Sequence, residues 1–326
     1  TCIDTAIDRR GTNLFSDLKL FFKYILLIKK HKPCIVLSYT VKPNVYGGIA
    51  SRLLRIPHIA NITGLGDSVS NVGRLQQFVL ALTKFALKKS KKVFFQNKSN
   101  KEFYEQRTIV QTAQTQLIPG SGVNLTRFAY LPYPVEKDEC IRFLFIGRIL
   151  KDKGIGELLE AVTSIYQEKN NITCDLVGFY EDETFKQAIT VYENLGAGRF
   201  LGVSKDISSL LKEYHAVILP SYHEGMANVL LEASASGRPV LASNVPGCQE
   251  TFDEGISGIG FEAKSVNSLY SAIKKFLSLT TAQREAMGKA GRAKMEREFD
   301  IAVPGTTSTF SLKNRALGYS ERDLTI

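Results

Sequence analysis

The feature that most limits what this chain can become is an alternation. Short apolar runs of strand length are separated by helix-length segments, and the pattern runs twice. In the first half, LFSDLKLFFKYILLI (14–28) carries apolar residues over one broad helical face. The strand-like CIVLSYT (34–40) follows, then a loop VKPNVYGG (41–48), a helix GIASRLLR (48–55) and a strand IPHIANIT (56–63). GRLQQFVLALTKFALKKS (73–90) reads as a helix whose terminal cations suit the helix dipole, and KVFFQN (92–97) as a buried strand. QLIPGSGVNLTRF (116–128) then breaks the regularity with Pro119, Gly120 and Gly122. The second half resumes with strands at RFLFIGRI, ITCDLVG, RFLG, AVILP and PVLAS, separated by helices such as GIGELLEAVTSIYQEK and ETFKQAITVYENLG and closed by SLYSAIKKFLSL. Strands joined through such helices form parallel sheets covered on both faces. The expected fold is therefore α/β, with two Rossmann-like lobes at 1–130 and 131–300 and an atypical tail at 301–326. A length of 326 residues fits two cores better than one.

Charge separates the halves. Residues 1–140 hold 21 Lys/Arg against 9 Asp/Glu, while 141–326 hold 21 against 23, within a whole-chain net charge of +10. A basic first half predicts an anionic partner, either nucleic acid or an acidic membrane surface, unless the charge only solubilises. Signatures of nucleic-acid modules are missing, so no nucleic-acid partner is expected. Lys84, Lys88, Lys89, Lys91 and Lys92 are the candidates for a membrane contact. Residues 14–28 cannot span a bilayer, because Asp17, Lys19 and Lys23 interrupt them, and they do not read as a signal peptide. Five scattered cysteines form neither a disulfide frame nor a zinc pattern, which points to a reduced, cytoplasmic setting.

Ligands of open parallel sheets bind beyond the carboxyl ends of the strands. Three loops of the second half lie there. GRILKDKG (147–154) sets Arg148, Lys151 and Lys153 among glycines, a combination suited to gripping a diphosphate; an ordinary turn with solvated charges is the plainer alternative. PSYHEGMANVLLEASASGRPV (220–240) places Glu224 at the mouth of a helix that begins near Met226–Asn228, and Glu232 eight residues on, which is about 12 Å of helix rise. Amides at that helix start favour an anion, and the two carboxylates suit vicinal hydroxyls on either side of it. Glu232 sits among Val229, Leu230, Leu231, Ala233 and Ala235, where a carboxylate needs a partner. ASNVPGCQE (242–250) contributes a tight Pro246–Gly247 turn.

The combination of EGMANVLLE (an E-x7-E motif), GRILKDKG and GSGVNLTRF resembles the retaining GT-B glycosyltransferases of the group-1, family-four type, over about residues 8–299. DRRGTN, SYTVKPNVYGG and ITGLG resemble the branch that builds bacterial capsule, O-antigen or glycoprotein oligosaccharides on a lipid carrier. The resemblance implies transfer of a hexose or N-acetylhexosamine from a nucleotide sugar, most readily UDP-linked, to a lipid-linked saccharide acceptor. It also implies retention of configuration and a peripheral position on the inner face of the cytoplasmic membrane. It assigns Arg148 and Lys153, with Gly147 beside them, to the donor diphosphate, and Glu224 to the transferred sugar. Glu232 would take the ribose hydroxyls, the amides of Gly225, Met226 and Ala227 would lie near the sugar and phosphates, and residues from Arg199 to Val203 would frame the base. No D-x-D triplet occurs, so neither an obligatory metal nor another cofactor is expected.

The sequence departs from that family in three ways. Thr63 stands where many relatives have a histidine, so no general base is assigned, and His58 reads as a packed residue. The first lobe is expected to lack its initial strand and glycine-rich loop. The tail after Phe299 lacks the apolar period of a closing helix, as a truncated or frame-altered product would. The rival expectations are a nucleotide-sugar epimerase of the same fold, or a catalytically impaired fragment serving as a basic binding module.

Overall fold

The computed structural model describes residues 14–64, 73–134, 140–169 and 171–302. DRRGTN, the last two residues of ITGLG and the tail from 303 lie outside the described residues. The chain divides into two compact units between Gly120 and Ser121.

The first unit holds a parallel sheet in the order β1-β2-β3-β4: Val36–Tyr39, His58–Ile62, Lys92–Phe95 and Thr115–Leu117. Its register pairs Val36 with His58, Ile59 with Lys92 and Val93 with Thr115. Four described helices accompany it: α1 Leu14–His31, α2 Val41–Leu53, α3 Arg74–Leu87 and α4 Lys98–Gln106. The core gathers Ala60, Ile62, Leu87, Val93, Phe95 and Tyr104. β2 is buried along its whole length, its polar residues His58 and Asn61 included.

One expectation is corrected here. VKPNVYGG is not a loop but the first turns of α2. Pro43 lies in the first turn, where an amide would have no intrahelical acceptor, so it does not break the helix. Gly48 is there for packing, since a Cβ would stand 3.1 Å from the His58 ring and 3.2 Å from the Ala86 carbonyl. Helix α4 was not assigned from the sequence; Asn97 caps it by accepting from the Asn100 amide at 2.8 Å.

The second unit holds a parallel sheet in the order β6-β5-β7-β8-β9: β5 Ile141–Ile146, β6 Ile172–Val177, β7 Ala216–Leu219, β8 Val240–Ser243 and β9 Gly258–Phe261. The helices are α5 Ile155–Lys169, α6 Phe185–Asn194, a short α7 Ile207–Leu210, α8 Asn228–Ala235, α9 Val266–Leu277 and α10 Thr281–Lys294. One continuous core runs from Val123 and Phe128 through Phe143, Phe145, Leu176 and Ile218 to Phe299. RFLG is not a strand; it makes a single bridge, Phe200 to Leu176. The Arg199 amide donates to the Asp175 carboxylate at 2.8 Å, while the Arg199 carbonyl accepts from the Leu176 amide and the Leu201 amide donates to the Leu176 carbonyl, both at 2.8 Å. β9, between β8 and α9, and α10, beyond α9, are additional to the elements expected from the sequence.

This sheet order fixes where a ligand can sit. The chain leaves β5 toward β6 on one side, and β7 lies on the other, so β5 and β7 flank the point where the connections diverge. The loops that follow these two strands are 147–154 and 220–227.

Candidate active site

Loop 147–154 is laced to the turn after β6. The Gly147 amide donates to the Val177 carbonyl and the Ile149 amide to the Phe179 carbonyl, both at 2.9 Å, while the Glu181 and Asp182 amides return to the Ile149 carbonyl at 3.1 and 3.0 Å. Arg148 projects from this frame, and its guanidinium donates to the Glu181 carboxylate. Lys151–Lys153 forms a single 3-10 turn that ends at Gly154 with φ 69°. A Cβ at Gly154 would stand 2.2 Å from the Pro220 carbonyl oxygen. Only glycine admits both that dihedral and that approach.

The close approach brings the second loop onto the first. The Tyr222 amide donates to the Asp152 carbonyl at 2.9 Å, and the Tyr222 hydroxyl to Glu157 at 2.6 Å. Burial, then the neighbouring Glu157 carboxylate, raise the Tyr222 phenol above its ordinary range, so it stays a donor. Lys153 Nζ reaches the Glu224 carboxylate, with only 17% and 15% of the two side chains exposed. The third loop locks in behind: Gly247 has φ 87°, and a Cβ there would lie 2.6 Å from the Glu224 carbonyl oxygen. The Ala227 amide donates to the Gly247 carbonyl at 2.8 Å, and the Gly247 amide to Glu250 at 2.7 Å. Beneath them Cys248 is fully buried; burial first, then the Glu224 charge, push its thiol far up and leave it inert.

The structure places the remaining predicted residues as follows. Helix α8 starts at Asn228, so Glu224 belongs to the loop and Glu232 is only one turn into the helix. The expected 12 Å of helix rise between them is replaced by a loop followed by about 6 Å of helix. The Glu232 carboxylate has no hydrogen-bond or ion-pair partner among the described residues. Burial raises its pKa, and the Arg127 charge opposes that. Of the amides singled out, that of Ala227 is committed to Gly247, whereas that of Met226 has no acceptor among the described residues. Arg199 is bound internally: its guanidinium meets Asp175 at 2.7 Å, and the Tyr214 hydroxyl shares that carboxylate at 2.7 Å. Val203 is 69% exposed, just past Gly202, whose carbonyl accepts from Gly178 at the end of β6. His58 is buried, as expected from its place in the strand pattern.

Glu181, the partner of Arg148, is not among the residues expected at the site. Its acidic run, FYEDE, leads from the strand-like ITCDLVG into the helix-like ETFKQAITVYENLG. The signal that could have found it is position, since FYEDE follows β6 at the same sheet edge as loop 147–154. No group of three or more His, Cys, Asp or Glu side chains is clustered to hold a metal ion among the described residues. No described helix is long and apolar enough to cross a membrane.

Residues 133–294 match the family described as Glycosyl transferases group 1, and residues 2–97 match Glycosyl transferase 4-like. The chain is 30% identical over 284 residues to the N,N'-diacetylbacillosaminyl-diphospho-undecaprenol alpha-1,3-N-acetylgalactosaminyltransferase of Campylobacter jejuni, covering 82% of this chain and 74% of that protein. It is 28% identical over 308 residues to the capsular polysaccharide biosynthesis glycosyltransferase CapM of Staphylococcus aureus, covering 90% and 80%. Among solved structures, Anabaena HepE in complex with UDP and glucose is similar with a TM-score of 0.72 at 20% identity, covering 90% of this chain and 81% of that one. The sucrose-phosphate synthase of Thermosynechococcus elongatus is similar at 0.73 and 21%, covering 89% and 76%. These structural likenesses bear on fold alone, and the fold they share is GT-B.

Proposed function

Because this chain belongs to the group 1 glycosyl transferases and is a glycosyltransferase, we propose that it moves a hexose or N-acetylhexosamine from UDP to a saccharide carried on a lipid diphosphate, with retention of configuration, during assembly of a surface polysaccharide. The observation that carries this reading is the Lys153–Glu224 pair at the carboxyl ends of β5 and β7, with Arg148 on the same loop. In a glycosyl diphosphate the sugar hydroxyls and the charged phosphates are only a few bonds apart. A carboxylate suited to hydroxyls, set directly against a cation suited to phosphate, matches that spacing. The relatives support the acceptor class, since the Campylobacter protein bears an undecaprenol-diphosphate saccharide in its name and CapM is a capsular enzyme. The HepE complex with UDP supports the donor class.

In this reading Lys153 and Arg148 offset the charge that grows on the departing diphosphate, the task a divalent cation performs elsewhere. No obligatory metal or other cofactor is required. Glu224 holds the sugar, Glu232 accepts from the ribose hydroxyls, the Met226 amide supplies a fixed donor and Val203 borders the base. The bond from the anomeric carbon to the diphosphate oxygen breaks. A bond from that carbon to the acceptor oxygen forms on the same face, and the acceptor proton passes to the departing diphosphate. The first unit docks the enzyme on anionic lipid at the cytoplasmic face, which brings it to its carrier. Among its described residues 17 Lys/Arg stand against 3 Asp/Glu, and Lys84, Lys88, Lys89 and Lys91 are exposed with Lys92 partly so. Each such cation near the surface contributes about 1 kcal/mol.

The test is a panel of nucleotide sugars read by thermal shift, followed by transfer to a short-chain lipid diphosphate saccharide and assignment of the product anomer. A stabilising UDP-sugar and a retained anomer are expected, and Glu232→Ala should abolish the shift. An inverted product, or a shift unchanged by that substitution, would remove the assignment.

A further inference from the structure

The first unit contains a cleft of about 490 Å³ that the donor chemistry does not use. It opens at the amino ends of β2 and β3, the edge opposite the strands' carboxyl ends, between the last turns of α2 and α3. Arg52, Arg55, Lys89 and Lys91 line it, over a floor that includes His58 and Ser90. We propose that this cleft is a binding site for a phosphate group, formed by Arg55, Lys89 and Lys91.

Three observations lead there. Among its described residues the unit has no internal anion for these cations. Its three described carboxylates are taken elsewhere, Asp17 by Lys42 at 2.7 Å, Glu102 by Lys98 at 3.6 Å and Glu105 by Lys101 at 3.0 Å. The two helix ends at the cleft supply about half a negative charge each, roughly one in all against four cations. Arg52 answers that demand, because its guanidinium donates to the Phe85 carbonyl at 2.9 Å and lies 4.2 Å over the Phe85 ring. The side chains of Arg55, Lys89 and Lys91 are exposed and have no hydrogen-bond or ion-pair partner among the described residues.

The floor, in turn, is rigid and uncharged. Asn44 donates to the Asn61 carbonyl at 2.9 Å, so its amide oxygen faces Ser38 and accepts the Ser38 hydroxyl at 2.6 Å. Ser38 therefore accepts from His58 Nε2 at 2.8 Å, which leaves His58 Nδ1 to accept from the Ser90 hydroxyl at 2.8 Å. Every proton in the row has one place, and a neutral imidazole at its centre adds no competing charge. Finally, Arg55 has φ 58°, a left-handed conformation in which glycine would rest without strain. The chain keeps a long cation there.

A phosphate group could come from a lipid headgroup or from a soluble phosphate ester, and the experiment separates the two. The site rests on no assignment in the second unit. The probes are inorganic phosphate, measured by calorimetry on the full chain carrying Arg148→Ala to silence the donor loop, and vesicles of phosphatidylglycerol in phosphatidylcholine, measured by co-sedimentation. Each charged hydrogen bond is worth on the order of tenfold in affinity, so the triple variant R55Q/K89Q/K91Q should bind phosphate at least about tenfold more weakly. Hydrogen exchange of its β2 amides should be unchanged in the otherwise native chain, which shows that the first unit folds. If vesicle binding falls in parallel and phosphate competes with vesicles, the ligand is a headgroup. If phosphate binding falls while vesicle binding is unchanged, it is a soluble ester. Phosphate binding equal in the triple variant and its parent would overturn the proposal.

Discussion

Lowering the pH from about 7.5 to about 5 should destabilise the first unit by about 2 kcal/mol through His58 alone. Burial depresses this imidazole from 6.5 to about 4 in the folded chain. The groups that face it are the Ser38 and Ser90 hydroxyls, and Arg52, Arg55, Lys89 and Lys91 line the same cleft. The sign follows from the depression. The unfolded chain binds a proton below 6.5 while the folded chain refuses it until about 4, so stability is intact above 6.5 and falls as pH drops. At one pKa unit per 1.36 kcal/mol, the loss is about 2 kcal/mol near pH 5 and about 3 kcal/mol near pH 4, where it levels off. Protonation also puts a hydrogen on Nδ1, where the Ser90 hydroxyl now donates, so the row of hydrogen bonds must reverse or break. Hydrogen exchange of the β2 amides, corrected for intrinsic rates, reads the opening free energy of this unit separately from the other. The comparison is native chain against His58→Gln, in which carboxylate titrations cancel. The native curve should fall more steeply by about 2 kcal/mol over that interval. Parallel curves would refute the buried, neutral histidine.

Replacing Lys153 with Met should lower kcat by about a hundredfold to a thousandfold, as loss of one charge-stabilising group does, with a smaller effect on donor binding, in steady-state transfer assays. Glu181→Gln should release Arg148 from its carboxylate partner and tighten UDP binding several-fold by calorimetry, since a competitor for the guanidinium is gone. Gly154→Ala forces both a left-handed dihedral and an overlap with the Pro220 carbonyl. It should cost about 1–3 kcal/mol in chemical unfolding of the second unit and should reduce transfer by displacing Lys153.

Much of the fold was legible because buried parallel strands have no alternation to disguise them. Phe143, Leu144 and Phe145 are fully buried in succession, and so are Val217 and Ile218. The reading failed where composition and role diverge. Pro43 and Gly48 look like loop residues, yet one tolerates a first turn and the other makes room for His58. β9 was missed because two of its four residues, Gly258 and Gly260, are glycines pressed against the Val240 carbonyl and the Asn244 side chain. At the site, the motif spacing led to Lys153 and Glu224, which do meet. It misjudged the path between Glu224 and Glu232, because the helix cannot start until the Ala227 amide has found Gly247, a residue twenty positions away. Glu181 and the commitment of Arg199 to Asp175 depend on how separate loops dock, which no local pattern encodes.

The interlocking of Gly154 with Pro220 and of Gly247 with Glu224 makes the candidate active site a self-contained cassette. The ties described above for Arg148, Lys153 and Glu224 run between residues 147 and 250 of one unit. Such a cassette can be transplanted. Fused behind the first unit of a different relative, it should carry its preference for the activated sugar into the chimera, as a cartridge keeps its contents when moved between housings.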